Sequence, residues 1–277
     1  MTGLRVITAP SVYVLGRPTF DRDSFGRFLA DHGISECRMA GEAFPDGEQL
    51  VEAGARNCYQ SWKGGRGHAD HLRHLLEVGH GSTLEHANWT LLVAGVSRSL
   101  THEMIRHRAG FGYSELSQRY VDQGGVAFVV PPALLSDVEA YRSAPREEKI
   151  GDRHRPAQQW CNACIRALAD YGALTEYLAG VAPGELPATD KRKWARQAAR
   201  SVLPECTETK VVVTGNARAW RHAIEMRASR HADAEIRRLF VAIWRALRNE
   251  APNLFGDYTE ATLPDGSVEL TTPYRKV

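Results

Sequence analysis

The sequence reads as a mixed helix-and-strand fold built as one large domain over residues 1–277, and three observations carry that reading. Runs such as Ala87–Ala94, Val126–Val130 and Thr207–Thr214 are short, apolar and β-branched, as strands are. Elsewhere apolar residues recur at helical spacing: Trp160, Cys164, Leu168, Tyr171, Leu174 and Leu178, and again Ile236, Leu239, Phe240, Ile243, Trp244 and Leu247. At 277 residues and 43% apolar, the chain is long enough to bury a sizeable core.

Taken in order, Leu4–Ile7 reads as a short strand, followed by a Pro- and Gly-spaced segment with no clear period. A helical pattern begins at Val51, where Val51, Ala55, Cys58 and Tyr59 share a face, and Gly64-Gly65-Arg66-Gly67 breaks it. His68–Val78 is a second helix with Leu72, Leu75 and Leu76 inward and Gly79 as its cap. His80–His86 is polar and turn-like and feeds the strand Ala87–Ala94. Arg98–Ile105 is helical and delivers Arg106 at its end. The strand Val126–Val130 stops at Pro131-Pro132, and residues 133–158 read as peripheral loop and short helix.

After the helix from Trp160 to Leu178, residues 180–187 form a loop. Lys191–Leu203 is a basic helix stopped at Pro204, its arginines off the apolar stripe of Trp194, Ala198 and Val202. The strand Thr207–Thr214 ends at Gly215. Arg218 with His222, and Arg227 with His231, are each one helical turn apart. A continuous helix would point the two pairs to opposite sides, so the spacing predicts a break near Ala228, with Ser229 capping the next helix. Pro264-Asp265-Gly266 is a turn between two short strands.

Composition narrows the function. A net charge of +2 gives no global polyanion-binding signal, so no nucleic-acid partner is expected. No apolar run approaches the ~18 residues of a membrane span, and Met1-Thr-Gly-Leu-Arg5 is no signal peptide. Five cysteines, an odd number, do not read as a disulfide framework, so a cytoplasmic protein is expected. Cys161-x-x-Cys164 lies within a helical stretch with no strand before it and reads as packing. His80, Glu85 and His86 lack the i, i+4 spacing of a helical ligand pair and have no cysteine nearby, so no metal is expected. There is no Gly-x-Gly-x-x-Gly after a strand, no Walker A, no His-Glu-x-x-His and no nucleophile elbow around Ser117. The residue stock favours electrostatic stabilisation over covalent catalysis.

One stretch outweighs the rest: Arg106-His107-Arg108, a Gly-containing loop, then Ser114-Glu115-Leu116-Ser117-Gln118-Arg119-Tyr120. Such a row of cations cannot be buried unpaired. A bare Arg-His-Arg would be a solvated helix end, but Gly110 and Gly112 allow close backbone approach, and Ser117 and Arg119 are good phosphate donors. The stretch has the makings of a nucleotide-phosphate pocket.

Arg-His-Arg followed by Ser117-x-Arg119-Tyr120 resembles the signature of the flavin-dependent thymidylate synthases, the ThyX family. Two further motifs match in order, Arg200-x-Val-Leu-Pro204 and Asn216-x-Arg218…His222…Arg227-Ala-x-x-His231, within a resemblance running from about Val51 to Arg248. The resemblance implies an α+β fold, a mixed or antiparallel sheet flanked by helices, and a homotetramer whose sites are shared between subunits. It implies FAD as cofactor, NADPH as reductant, methylenetetrahydrofolate as one-carbon donor and a uridylate, dUMP or UMP, as substrate. Arg227 matches the guanidinium at the uracil edge, the catalytic position. Glu103, Arg106, Ser117, Arg119 and Arg200 match nucleotide-binding positions, and the backbone of Glu115, Leu116, Ser117 and Gln118 would close over phosphate and sugar. His80, Ser82, Arg106, His107, Arg108, Glu115, Asn216, Arg218 and His222 match the flavin side, with His231 near the flavin–folate stack.

One departure is visible. Eight residues, Ala109 through Leu116, separate Arg108 from Ser117 where the family signature has seven. A longer loop could make room for a 2′-hydroxyl, which extends the resemblance to the UMP-accepting methylases of nucleoside-antibiotic pathways. The competing readings are an RNA-binding protein using the Arg and aromatic patches, and a non-catalytic member that kept the fold.

Overall fold

The structure is a computed structural model and describes residues 4–39, 44–63, 65–145 and 154–277. Gly64 of the predicted break and residues 146–153 of the predicted peripheral segment lie outside the described residues. The chain runs β1 (Val6–Ile7), β2 (Ser11–Gly16), α1 (Arg22–Asp31), α2 (Asp46–Tyr59), α3 (His68–Glu77), β3 (Asn88–Ser97), α4 (Arg98–Met104), β4 (Phe111–Glu115) and β5 (Phe128–Val129). It continues α5 (Leu135–Ser143), α6 (Arg155–Val181), α7 (Ala188–Ala199), β6 (Glu208–Asn216), α8 (Ala217–Arg227), α9 (Ala234–Glu250), α10 (Pro252–Phe255), β7 (Thr259–Thr262) and β8 (Val268–Thr271). Short 3-10 turns cover Gly81–His86, Pro132–Leu134 and Arg200–Val202.

Four strands form a sheet in the order β2-β3-β6-β4. β4 is antiparallel to β6: Leu116 N–H donates to the Lys210 carbonyl and Asn216 N–H to the Gly110 carbonyl, an unbroken register. β3 is also antiparallel to β6, with Ala217 N–H on the Ala87 carbonyl and Arg98 N–H on the Thr207 carbonyl. Between those two bonds β3 advances one residue more than β6. Gly95, at φ +70°, takes up the extra residue as a bulge. β1 pairs in parallel with β5, and β7 is antiparallel to β8. The α+β reading therefore holds, with both strand directions present.

The chain forms two compact units, each assembled from three separate stretches. The first takes in the chain up to Pro10, Ala94–Met104 and Ser114–Val211. Its core joins Val130, Val138, Tyr141, Ala157 and Cys161, with Leu4, Val6 and Trp160 packed against them. All five cysteines are free thiols. Cys164 Sγ lies 3.8 Å from Cys206 Sγ, and that hydrogen bond, with burial, pushes the Cys164 thiol well up. It is a packed, protonated thiol.

The second unit takes in Ser11–Val93, Ile105–Tyr113 and Val212–Val277. Every residue of the α9 stripe predicted from Ile236 to Leu247 is buried, and Trp244 Nε1 donates to the Phe255 carbonyl at 2.8 Å. α2 and α3 bury a charged network. His68 Nδ1 meets Glu52 at 2.5 Å and its Nε2 meets Glu48 at 3.0 Å, while Arg56 Nε donates to Glu52 at 2.8 Å. Burial alone would lower the His68 pKa; its hydrogen bonds to Glu48 and Glu52 outweigh that and raise it. Two carboxylates face one imidazolium and one guanidinium, so the buried charge is balanced.

Several elements differ from the sequence reading. α1 and β2 lie in the stretch with no clear period. α1 has no fully buried residue, and β2 alternates exposed and half-buried residues; its run Val12-Tyr13-Val14-Leu15 is a strand signal that the sequence reading passed over. α2 begins at Asp46 rather than Val51. β6 runs through Gly215 because a Cβ there would lie 2.5 Å from the Phe111 ring; glycine lets that ring pack on the strand. The break after α8 falls at Ala228 as expected, but Asp233, not Ser229, caps α9 by accepting the Glu235 N–H at 2.8 Å. Ser229 instead starts a turn, its carbonyl accepting the Ala232 N–H. Among the described residues no helix is long and apolar enough to cross a membrane, and no cluster of three His, Cys, Asp or Glu is placed to hold a metal.

Candidate active site

In the second unit, the N-terminal end of α8 opens onto a cavity of about 510 Å³, within the size range of small-molecule sites. Asn216 caps the helix, its side-chain oxygen accepting the Ala219 N–H at 2.8 Å. Arg218 and His222, one turn apart, line the cavity with Glu85 and Lys276. Arg218 Nη1 donates to Glu85 at 2.7 Å, so one carboxylate is already used. The turn Arg108–Phe111 supplies another wall. Gly110 sits there at φ +75°, and a Cβ would stand 2.8 Å from Asn216 Nδ2, so only glycine lets this backbone close in. A helix N-terminus, an excess of cations and a glycine cradle together suit an anionic ligand.

The C-terminal end of α8 carries Arg227, whose Nε donates to His107 Nε2 at 2.8 Å. Accepting that bond requires a lone pair on Nε2, so His107 is neutral with its proton on Nδ1. Burial, then the Arg227 charge and His222, lower its pKa to about 4. Tyr113 donates its hydroxyl to the His107 carbonyl at 2.8 Å, and burial pushes that phenol up to about 12. The Arg-His-Arg row is thus divided: Arg106 and Arg108 are exposed, and His107 is the half-buried brace for Arg227.

The first unit holds a second cationic surface. The Glu115 carboxylate accepts Arg98 Nη1 and Thr101 Oγ1, each at 2.8 Å. Its side chain is therefore tied to α4, and what the segment offers a ligand is the backbone from Glu115 to Gln118. Leu116 uses its N–H in the pairing with Lys210. Gln118 is 7% exposed, and its Nε2 has no protein acceptor, a buried orphan donor that a bound acceptor would satisfy. Ser117 starts a turn, its carbonyl accepting the Tyr120 N–H, and Arg119 is exposed beside the Tyr120 ring. From α7, Arg196 donates to the Tyr120 carbonyl at 2.8 Å and Lys193 Nζ lies 4.9 Å from the ring centroid. Arg200 follows, half-buried, in the 3-10 turn, and Glu103 is half-buried on α4.

The family profile described as "Thymidylate synthase complementing protein" matches residues 41–253. A flavin-dependent thymidylate synthase of Mycobacteroides abscessus is 47% identical over 82% of this chain and 86% of its own length. The chain belongs to the flavin-dependent thymidylate synthase family. A second member, from Mycobacterium tuberculosis, is 46% identical over the same shares. The crystal structure of the UMP/dUMP methylase PolB from Streptomyces cacaoi bound with 5-Br UMP is similar in fold, with TM-score 0.60 and 21% identity, covering 91% of this chain and 95% of that one.

Against the family motifs, the structure gathers Gly110, Asn216, Arg218 and His222 at one cavity and pairs His107 with Arg227. It gathers Ser117, Gln118 and Arg119 near α7 in the other unit. His80 lines a different cavity, its ring 5.5 Å from that of Tyr59, and Ser82 is exposed in the following 3-10 turn. His231 lines a third, with Glu225, Arg230 and Glu269. The segment read as a lengthened loop is mostly strand β4. Because its register with β6 is unbroken from Gly110 to Leu116, irregular backbone is confined to the turn Arg108–Phe111, on the cavity of Arg218 rather than beside Ser117. Sequence reasoning missed Lys193, Arg196 and Lys276. The first two share a helical face with Arg200, a spacing that was available; nothing local marks Lys276.

Proposed function

We propose that the chain methylates C5 of a uridylate: dUMP, methylenetetrahydrofolate, NADPH and a proton give dTMP, tetrahydrofolate and NADP⁺. The observation that supports this most is the layout of α8. Arg218 in its first turn and His222 one turn further on face an anion-suited cavity, and its last residue, Arg227, about 13.5 Å beyond Arg218 at 1.5 Å per residue, is braced by a neutral histidine. The cavity's cations and glycine cradle fit the phosphates of FAD, with His80, Ser82, Arg106 and Arg108 contributing to the flavin side. When bound, that flavin supplies the hydride chemistry.

Uracil C5 is a weak nucleophile until negative charge builds in the ring. A guanidinium held at the ring edge stabilises that charge, and preorganisation matters because no reorientation is then needed during reaction. His107 supplies it: as a neutral acceptor it fixes the Arg227 Nε without drawing off its charge. Ser117, Gln118, Arg119 and Arg200, with Glu103 and Arg106, bind the nucleotide, and Lys193 and Arg196 add positive charge beside them. His231 serves the folate side. The chain works as a cytoplasmic homotetramer, its sites completed by neighbouring subunits.

Family membership weighs against the RNA-binding and non-catalytic readings. Purified protein with FAD, NADPH and methylenetetrahydrofolate is expected to convert dUMP to dTMP, read by mass spectrometry. UMP run in parallel tests the ribonucleotide; because the lengthened segment's irregular part lies away from Ser117, dUMP is expected to be the better substrate. Absence of both flavin binding and product would overturn the proposal.

A further inference from the structure

The chain beyond Gly256 returns to the Arg218 cavity, and it lies past residue 253, where the family profile ends. Two side chains on the flank of α8 hold it there. Arg221 is 2% exposed and donates to Asp257 at 2.6 and 2.9 Å and to the Tyr274 carbonyl at 3.3 Å. Glu225 accepts Arg275 Nε at 2.8 Å and the Lys276 N–H at 3.1 Å. Val277 then seats against Gly81, where a Cβ would stand 2.7 Å from the Val277 carbonyl carbon.

The result is that Lys276, which lies past every family motif in the sequence, lines the cavity. Its backbone is left-handed, at φ +60°, a conformation that lysine adopts only when its surroundings enforce it. The enforcing contacts are those on Glu225. In the cavity, the Glu85 carboxylate is paired with Arg218, and Lys276 is a second cationic residue on the same wall.

We propose that Lys276 is a phosphate-binding residue of the flavin pocket, delivered by a C-terminal strap that α8 clamps through Arg221 and Glu225. This rests on the reading of the cavity as the flavin site. Its ligand is the diphosphate of FAD, which takes a charge-assisted hydrogen bond from the ammonium.

The test is FAD titration, by quenching of flavin fluorescence, on the wild-type protein and on Lys276→Gly, Lys276→Gln and Lys276→Arg. Glycine suits the left-handed backbone, so K276G removes the side chain without unseating the strap, and an unchanged melting temperature without FAD checks this. K276G and K276Q are expected to raise the Kd about ten-fold, the size of one lost charge-assisted bond, and K276R to restore it to within about two-fold. Wild-type affinity in K276G would overturn the role of Lys276 and leave the flavin reading standing. Equal loss in all three variants would also overturn it, assigning the position to packing. A wild-type protein that binds no FAD would overturn the flavin reading itself.

Discussion

Two histidines in the same compact unit face opposite electrostatic surroundings. His68 lies between Glu48 and Glu52, with Arg56 completing a balanced and fully buried set. His107 lies beside Arg227 and near His222, with no carboxylate among the groups that shift it. The first is held charged and the second neutral. The difference separates the two histidines by what they hold: the His68 set cancels its own charge in the interior, whereas His107 stays a neutral acceptor that fixes Arg227 on the helix that also presents Arg218 to the cavity.

Removing one member of the balanced set should have the largest effect. Glu52→Gln leaves Glu48 to balance both Arg56 and His68 in the interior and is expected to cost about 3–5 kcal/mol of stability, read as a fall in Tm, while any protein that remains folded keeps its activity. At the other histidine the ranking reverses. Arg227→Ala is expected to lower kcat by about 10²–10³-fold with little change in Tm. Arg227→Lys should not rescue it, because an ammonium cannot offer the planar fork of a guanidinium. Equal losses of stability in both variants would erase the distinction.

The pH dependence sharpens the same contrast. His68 has a folded-state pKa above its unfolded value of about 6.5, so its contribution is complete below that value and is lost as pH rises through the raised folded pKa. His107, lowered to about 4, does the reverse: between about 6.5 and 4 the unfolded chain binds a proton that the folded chain does not, so stability falls as pH falls through that window. Histidine NMR titration at pH 7 should find His68 charged and His107 neutral, and the opposite assignment would contradict the geometry. The smallest effect is expected at Cys161→Ala, about 1 kcal/mol with full activity. Lost activity there would make the Cys161-x-x-Cys164 pair functional rather than packing.

What the sequence made legible follows from where the physics is local. The α9 stripe and the break at Ala228 depend on neighbours within two turns, and both are where spacing placed them. Asp233 displacing Ser229 as cap could not be read, since both residue types cap and the choice is made by the turn from Ser229 to Ala232. β4 was hidden because Phe111–Glu115 contains glycine and becomes a strand only on pairing with β6, a partner distant in sequence. At the site, family motifs named Arg218, His222 and Arg227, but not what braces or supplements them. That His107 holds Arg227, that the Glu115 side chain is spent on Arg98 and Thr101, and that Lys276 reaches the cavity are all tertiary facts.

The most direct measurement is single-turnover chemistry on the purified protein with FAD bound and reduced by NADPH. Methylenetetrahydrofolate and dUMP are then added to wild type and Arg227→Ala. The expected result is flavin absorbance in both, dTMP formed by the wild type, and a rate in the variant lower by about 10²–10³-fold. A variant that makes dTMP at the wild-type rate would contradict the role given to Arg227. A wild type that binds flavin but leaves dUMP unmethylated would contradict the proposed function.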